Sequence, residues 1–134
     1  MKTRQRLLLA LHALAAALTA CGGADPNEEA LAAAPRAAAS ATEARALFDS
    51  LCFTCHGTTG HGDGPGAAAL DPKPRSFADT AWQDSVTDEH IQKTIVFGGA
   101  AVQKSPMMPA QPHLKGKNDV LAGLVAIVRG FRGK

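Results

Sequence analysis

Aromatic residues are scarce in this chain: among 134 positions there are five Phe, one Trp and no Tyr. Aromatic side chains dominate core burial, so a core made only of this chain's own side chains would be thin. Something else is expected to fill the middle. No segment alternates apolar and polar residues as a strand would, which leaves an all-α expectation. A long apolar span is missing as well. The best stretch, Leu7 to Leu18, is well short of the ~20 residues a helix needs to cross a bilayer. A true excess of positive charge is also lacking. The formal net charge is +2, but Lys2, Arg4 and Arg6 supply three of the 14 Lys and Arg, leaving 11 against 12 Asp and Glu in the rest. Without a basic patch, nucleic acid is excluded as a partner.

Those three positives precede the apolar run, and Thr19-Ala20-Cys21 follows it. This is the three-part layout of a secretory signal peptide, assigned to residues 1–20. Leu18-Thr19-Ala20-Cys21 resembles a bacterial lipobox, which implies that Cys21 becomes the lipidated first residue of the mature protein. Several acyl chains hold firmly where one holds marginally, at ~0.8 kcal/mol per buried methylene. The expected location is therefore the periplasmic face of a membrane, and Gly22 favours the outer one. Residues 21–41, rich in Ala with Gly-Gly, Pro26 and Pro35, read as a flexible tether. As a coil, about 18 of these residues would reach ~23 Å, and ~60 Å fully extended, while the Ala content could also support partial helix.

From residue 42 to 134 the pattern becomes that of a folded domain. Ser40-Ala41-Thr42-Glu43 fits a capping box, with Ala44, Leu47, Phe48 and Leu51 on one face of a first helix that runs into Cys52. Thr87 can cap a second helix that buries Ile91, Ile95 and Val96 and ends at Gly98-Gly99. A last helix starts near Asn118 and buries Val120, Leu121, Leu124, Val125, Ile127, Val128 and Phe131. Two Gly- and Pro-rich loops, 57–76 and 105–112, join the three helices. Long loops of this kind usually carry function.

The first of these loops follows Cys52-Phe53-Thr54-Cys55-His56. Two Cys two residues apart with His immediately after is the haem c attachment pattern. The spacing has a geometric reason: two thiols reach neighbouring vinyl groups while the adjacent imidazole rises to the iron. A zinc site made with His61 would need the Cys and His pairs much further apart. A dithiol redox site would need a βαβ surround. A structural disulfide would give His56 no role. With Cys21 assigned to lipid and Cys52 and Cys55 to haem, no cysteine is left over.

A second axial ligand is expected from the second loop, at Met107 or Met108. Pro109 confines the backbone of Met108 to extended conformations and so pins the loop there. Met108 is favoured, with Met107 as a haem-wall contact. Of the histidines, His61 is too close to His56 to cross to the other haem face, and His90 stands at a helix start. His113, near the Met loop, is the best rival. Met/His ligation raises the haem potential relative to bis-His. It also leaves no open site for oxygen.

The domain resembles class I monohaem cytochromes c. The matching stretches are Leu47-Phe48 before Cys52-x-x-Cys55-His56-Gly57, then Gly62-Asp63-Gly64-Pro65 and Leu70 to Phe77. Ile95-Val96-Phe97-Gly98-Gly99 and Ser105-Pro106-Met107-Met108-Pro109 follow. The resemblance implies the cytochrome c fold, in which first and last helices cross with Ala44 and Phe48 at the contact, and a ligating methionine followed by proline. It implies a looser contact at Ile127, where an aromatic is common. It also implies a proline carbonyl accepting from the axial imidazole, with Pro65 and Pro72 both candidates. Arg75 and Trp82 are candidate donors to the haem propionates.

The functional expectation is an electron carrier and not an enzyme, tethered to a membrane and passing electrons between a redox-protein donor and acceptor, such as respiratory complexes. A haem subunit fixed on a membrane oxidoreductase is the alternative. A peroxidase or gas sensor would require a vacant iron position, which Met108 would fill.

Overall fold

A computed structural model describes residues 26–134, and the signal segment and Cys21 lie outside them. Helix α1 (Pro26–Leu47) runs without interruption into a π-helical turn (Phe48–Cys52) and then α2 (Phe53–His56). Residues 26–41, part of the expected tether, are therefore helical. Pro26 stands in the first turn, where proline is tolerated, and alanine is the best helix former, so the helix extends upstream of the expected start across Pro35, whose interior position costs it a backbone hydrogen bond. The anticipated cap is interior instead: Thr42 Oγ1 donates back to the Ala38 carbonyl at 3.0 Å.

In the π turn, the Phe53 N–H donates to the carbonyl of Phe48, five residues back. Such a widening inserts one residue into the helical repeat and turns the positions that follow. Phe48 is 1% exposed, while Leu51, expected on the same face, is 47% exposed and borders the cleft described below.

Helix α3 (Thr80–Ser85) was not anticipated. Asp79 caps it, its side chain accepting from the Trp82 N–H at 3.0 Å. Helix α4 (Asp88–Phe97) is capped as expected by Thr87, whose hydroxyl accepts from the His90 N–H at 3.2 Å. It buries Ile91 and Val96, with Ile95 half-buried. Short 3₁₀ turns at Gly99–Val102 and Pro112–Leu114 shape the second loop. Helix α5 (Asn118–Arg129) buries Val120, Leu121, Leu124, Val125 and Val128, while Ile127 is half-buried. Among the described residues there is no strand, and no helix is long and apolar enough to cross a membrane.

The core lies where α1 meets α5. Ala44 is fully buried against Gly123, and Phe48 meets Phe131 with ring centroids 5.6 Å apart. The aromatic that Ile127 does not supply thus arrives from the turn beyond α5. Arg129 ties the helices at the other end. Its guanidinium donates to Asp88 Oδ1 at 2.8 Å, to the carbonyls of Gln83 and Val86 at 2.6 and 2.7 Å, and to Gln83 Oε1 at 2.9 Å. Gln83, 3% exposed, donates in turn to the Phe77 carbonyl at 2.8 Å and the Val128 carbonyl at 2.9 Å.

Candidate functional site

Helix α2 is short, and its carbonyls need partners beyond its own end. The glycine-rich loop supplies them. The N–H groups of Gly62, Gly64 and Gly66 donate to the carbonyls of His56, Cys55 and Thr54 at 2.9, 3.2 and 2.8 Å. The loop thereby wraps the attachment segment and carries residues 74–77 alongside the His56 ring. Phe77 closes the turn, its N–H donating to the Gly60 carbonyl at 2.6 Å.

His56 is held on two sides. Its Nδ1 lies 3.2 Å from the Arg75 carbonyl, and its ring stacks on Phe77 with centroids 4.3 Å apart and planes 16° from parallel. A carbonyl can only accept, so Nδ1 carries the hydrogen and Nε2 keeps its lone pair. The acceptor is thus Arg75, not Pro65 or Pro72. The loop places the peptide after Pro74 at the imidazole, and that choice depends on the wrap and not on local sequence. Burial lowers the His56 pKa, partly opposed by the Arg75 hydrogen bond. The neutral imidazole that a metal ligand must be is favoured.

Cys52 and Cys55 are half-buried and are not joined in a disulfide. Burial, with Cys55 adding to it, pushes the Cys52 pKa up to about 11. Dithiol oxidoreductases need the opposite, an attacking thiol with a depressed pKa. Among the described residues no group of three or more His, Cys, Asp or Glu could hold a metal ion. The zinc alternative therefore has no geometric support.

These groups open onto a cleft of about 1210 Å³. Typical small-ligand pockets measure ~300–1,000 Å³. Cys52, Cys55 and His56 line it, as do Met107 and Met108 from the second loop and Arg75 and Trp82 from the segment around α3. Leu70, Val86, Ile91, Ile95 and Val128 make much of the remaining wall apolar. Such a cleft fits a large flat apolar macrocycle with two thiols and an imidazole at one edge, and no Asp or Glu is among its lining residues. Met108 is partly buried, while Met107 is 59% exposed. Among the rival histidines the order reverses: His90 lines the cleft and His113 does not. Both, like His61, are exposed. The Arg75 guanidinium sits 5.9 Å from the Trp82 ring centre and 3.3 Å from Asp79.

The Cytochrome c family model matches residues 41–126, a span that runs from α1 through the attachment motif and the methionine loop into α5. The chain belongs to the cytochrome c family. The solved structure of KustC0563 c-type cytochrome is similar to it, with 34% identity over 64% of this chain and 93% of that one, at a TM-score of 0.47. No curated protein matches the chain closely enough to count as a relative. Membership of the cytochrome c family implies electron transfer through a covalently bound haem c, and Cys52 and Cys55 stand in a Cys-x-x-Cys-His pattern within the matched span.

Three site features escaped the sequence. Phe77 was visible only as part of a matching stretch, and its stacking on His56 required the loop wrap. The Arg75 carbonyl carried no side-chain signal at all. Gln83 looked like one more polar residue between Thr80 and Ser85, although its amide supports the backbone on which Phe77 sits.

Proposed function

We propose that this class I cytochrome c is a single-haem electron carrier with His56 and Met108 as axial ligands. Cys52 and Cys55 would hold the group through thioethers, His56 would offer Nε2, and Met108 would offer its thioether sulfur. Bound there, the haem iron supplies reversible one-electron chemistry between its ferric and ferrous states. The observation that carries this reading is that one apolar cleft gathers the attachment residues and Met108 from segments far apart in sequence. The protein's part is to keep the ligand set closed and to keep the imidazole neutral and oriented. A thioether ligand raises the potential relative to a second imidazole, and an occupied sixth position excludes small ligands. A carrier needs the closed sphere, because little then has to move when the electron arrives.

A redox-titrated visible spectrum of the purified holoprotein tests the reading. Covalent haem, a low-spin signature and a methionine-to-iron charge-transfer band are expected, and Met108→Ala should abolish that band. A wild-type protein that binds carbon monoxide rapidly in its ferrous form would overturn the reading in favour of a gas-binding or peroxidatic one. Loss of the band in Met107→Ala alone would move the ligand by one residue.

The same proposal makes Cys21 a lipid attachment point, so that the carrier works at the periplasmic face of a membrane between redox-protein partners. This rests on the residue pattern at 18–21. Cys21→Ala should release the protein into the soluble fraction, and retention in membranes would refute the anchor. A membrane oxidoreductase subunit that co-purifies at fixed stoichiometry would mark the protein as a fixed haem subunit instead of a shuttle.

A further inference from the structure

We infer that Gly98 and Gly99 are positioning residues for the axial methionine: the end of α4 is a side-chain-free platform to which the methionine loop is strapped. The inference rests on Met108 being the sixth ligand, and the experiment below separates the two.

Helix α4 ends at Phe97, and the chain passes through Gly98 at φ 79°, a conformation unfavourable for other residues. Backbone hydrogen bonds then join this end to the loop. The Gly99 N–H donates to the Met108 carbonyl at 3.0 Å, the Lys104 N–H to the Gly99 carbonyl at 2.8 Å, and the Gln111 N–H to the Ile95 carbonyl at 3.0 Å. Within the loop, the Met108 N–H donates to the Ser105 carbonyl at 3.3 Å. Both backbone polar groups of Met108 are therefore held, one by the platform and one by the loop.

The straps leave no room for a side chain. A Cβ at position 99 would stand 2.1 Å from the Ser105 carbonyl oxygen and 3.3 Å from the Met108 Cβ. One at position 98 would stand 2.9 Å from the Ala110 nitrogen and 3.0 Å from the Met108 carbonyl oxygen. The atoms in the way are mainly backbone, which cannot rotate aside. Adding one methyl group must push the loop off α4, and Met108 rides on that loop. A thioether sulfur is a weak ligand whose hold depends on where its backbone stands, so displacement should cost ligation before it costs the fold.

Gly116 is the internal control. It has φ 85°, close to that of Gly98, but a Cβ there would meet nothing within 4 Å. Gly116→Ala introduces backbone strain without a push. Holoproteins carrying Gly98→Ala, Gly99→Ala and Gly116→Ala should be compared with wild type by charge-transfer band, potential, covalent haem content and far-ultraviolet circular dichroism. Gly99→Ala is expected to lose at least half of the band and to lower the potential, with haem content and helix signal retained. Gly98→Ala should do the same to a smaller degree, and Gly116→Ala should keep the wild-type band. If wild type itself lacks the band, the Met108 reading fails. If wild type and both platform variants keep the band and potential, the ligation stands and the platform inference is overturned. Should the substituted chains not fold, amide exchange in the wild-type ferrous protein decides. Gly99 is expected among the slowly exchanging amides, and rapid exchange there would refute the strap.

Discussion

Phe77→Ala is the most discriminating test of how the attachment site is supported. The ring is 8% exposed and touches three others: His56 at 4.3 Å, Trp82 at 5.7 Å and Phe131 at 6.3 Å between centroids. Truncating a buried Phe to Ala removes its transfer free energy and leaves a cavity, together ~3–5 kcal/mol. Aromatic pairs contribute ~0.5–1.5 kcal/mol beyond area alone. The cluster cannot collapse easily, because Phe131 is engaged with Phe48 and the Phe77 backbone is held by Gln83. A value near 4 kcal/mol is expected, a large share of the ~5–15 kcal/mol that holds a domain together. For a guanidinium m-value of ~4 kcal/mol per molar, the midpoint should fall by about 1 M. The assay is guanidinium unfolding of the holoprotein followed by far-ultraviolet circular dichroism. Phe77→Leu, which keeps most of the volume, should lose less than ~1.5 kcal/mol. Its ferric nuclear magnetic resonance spectrum should still shift, since the ring that fixes the imidazole plane is gone. A midpoint for Phe77→Ala within ~0.2 M of wild type would show that the ring is not part of the core and refute the packing argument.

Gln83→Leu should destabilise by ~1–3 kcal/mol, because it strands the Phe77 carbonyl that its amide satisfies, while the Val128 carbonyl keeps the Phe131 N–H at 3.3 Å. A loss under ~1 kcal/mol in the same unfolding assay would mean that water replaces it. The chain produced without haem should show no cooperative thermal transition by calorimetry, since a cleft of about 1210 Å³ would face water through its apolar walls. A sharp melt of that material would contradict the argument. Glu43→Gln should change stability by ~1 kcal/mol or less, because its ion pair with Lys117, 2.8 Å long, lies at the surface. A larger loss would show that this pair fastens α1 to the chain ahead of α5.

The attachment chemistry was legible in the sequence because it is local. Two thiols and an imidazole within five residues point to haem c once the methionine loop and the family's other stretches are set beside them, and Thr87 and the apolar stripe of α5 define their helices in short-range terms. Met108 was singled out for a similarly local reason, the restraint imposed by Pro109. Elsewhere local signals misled. The capping pattern at Ser40 marks a place where a helix can begin, yet the alanine-rich stretch before it is helical too. Leu51 fits the apolar face on a regular 3.6-residue repeat, yet it lines the cleft beside Cys52 and Cys55 and not the core between α1 and α5. Only the tertiary structure could decide that the Arg75 carbonyl faces His56, that Gln83 supports Phe77, and that Gly99 meets Met108. Each of these joins backbone or neutral groups across loops, and such contacts depend on the path of the chain instead of the identity of neighbours in sequence. A covalent motif is written in residue types, whereas the orientation of its ligands is written in hydrogen bonds that exist only after the loops have closed.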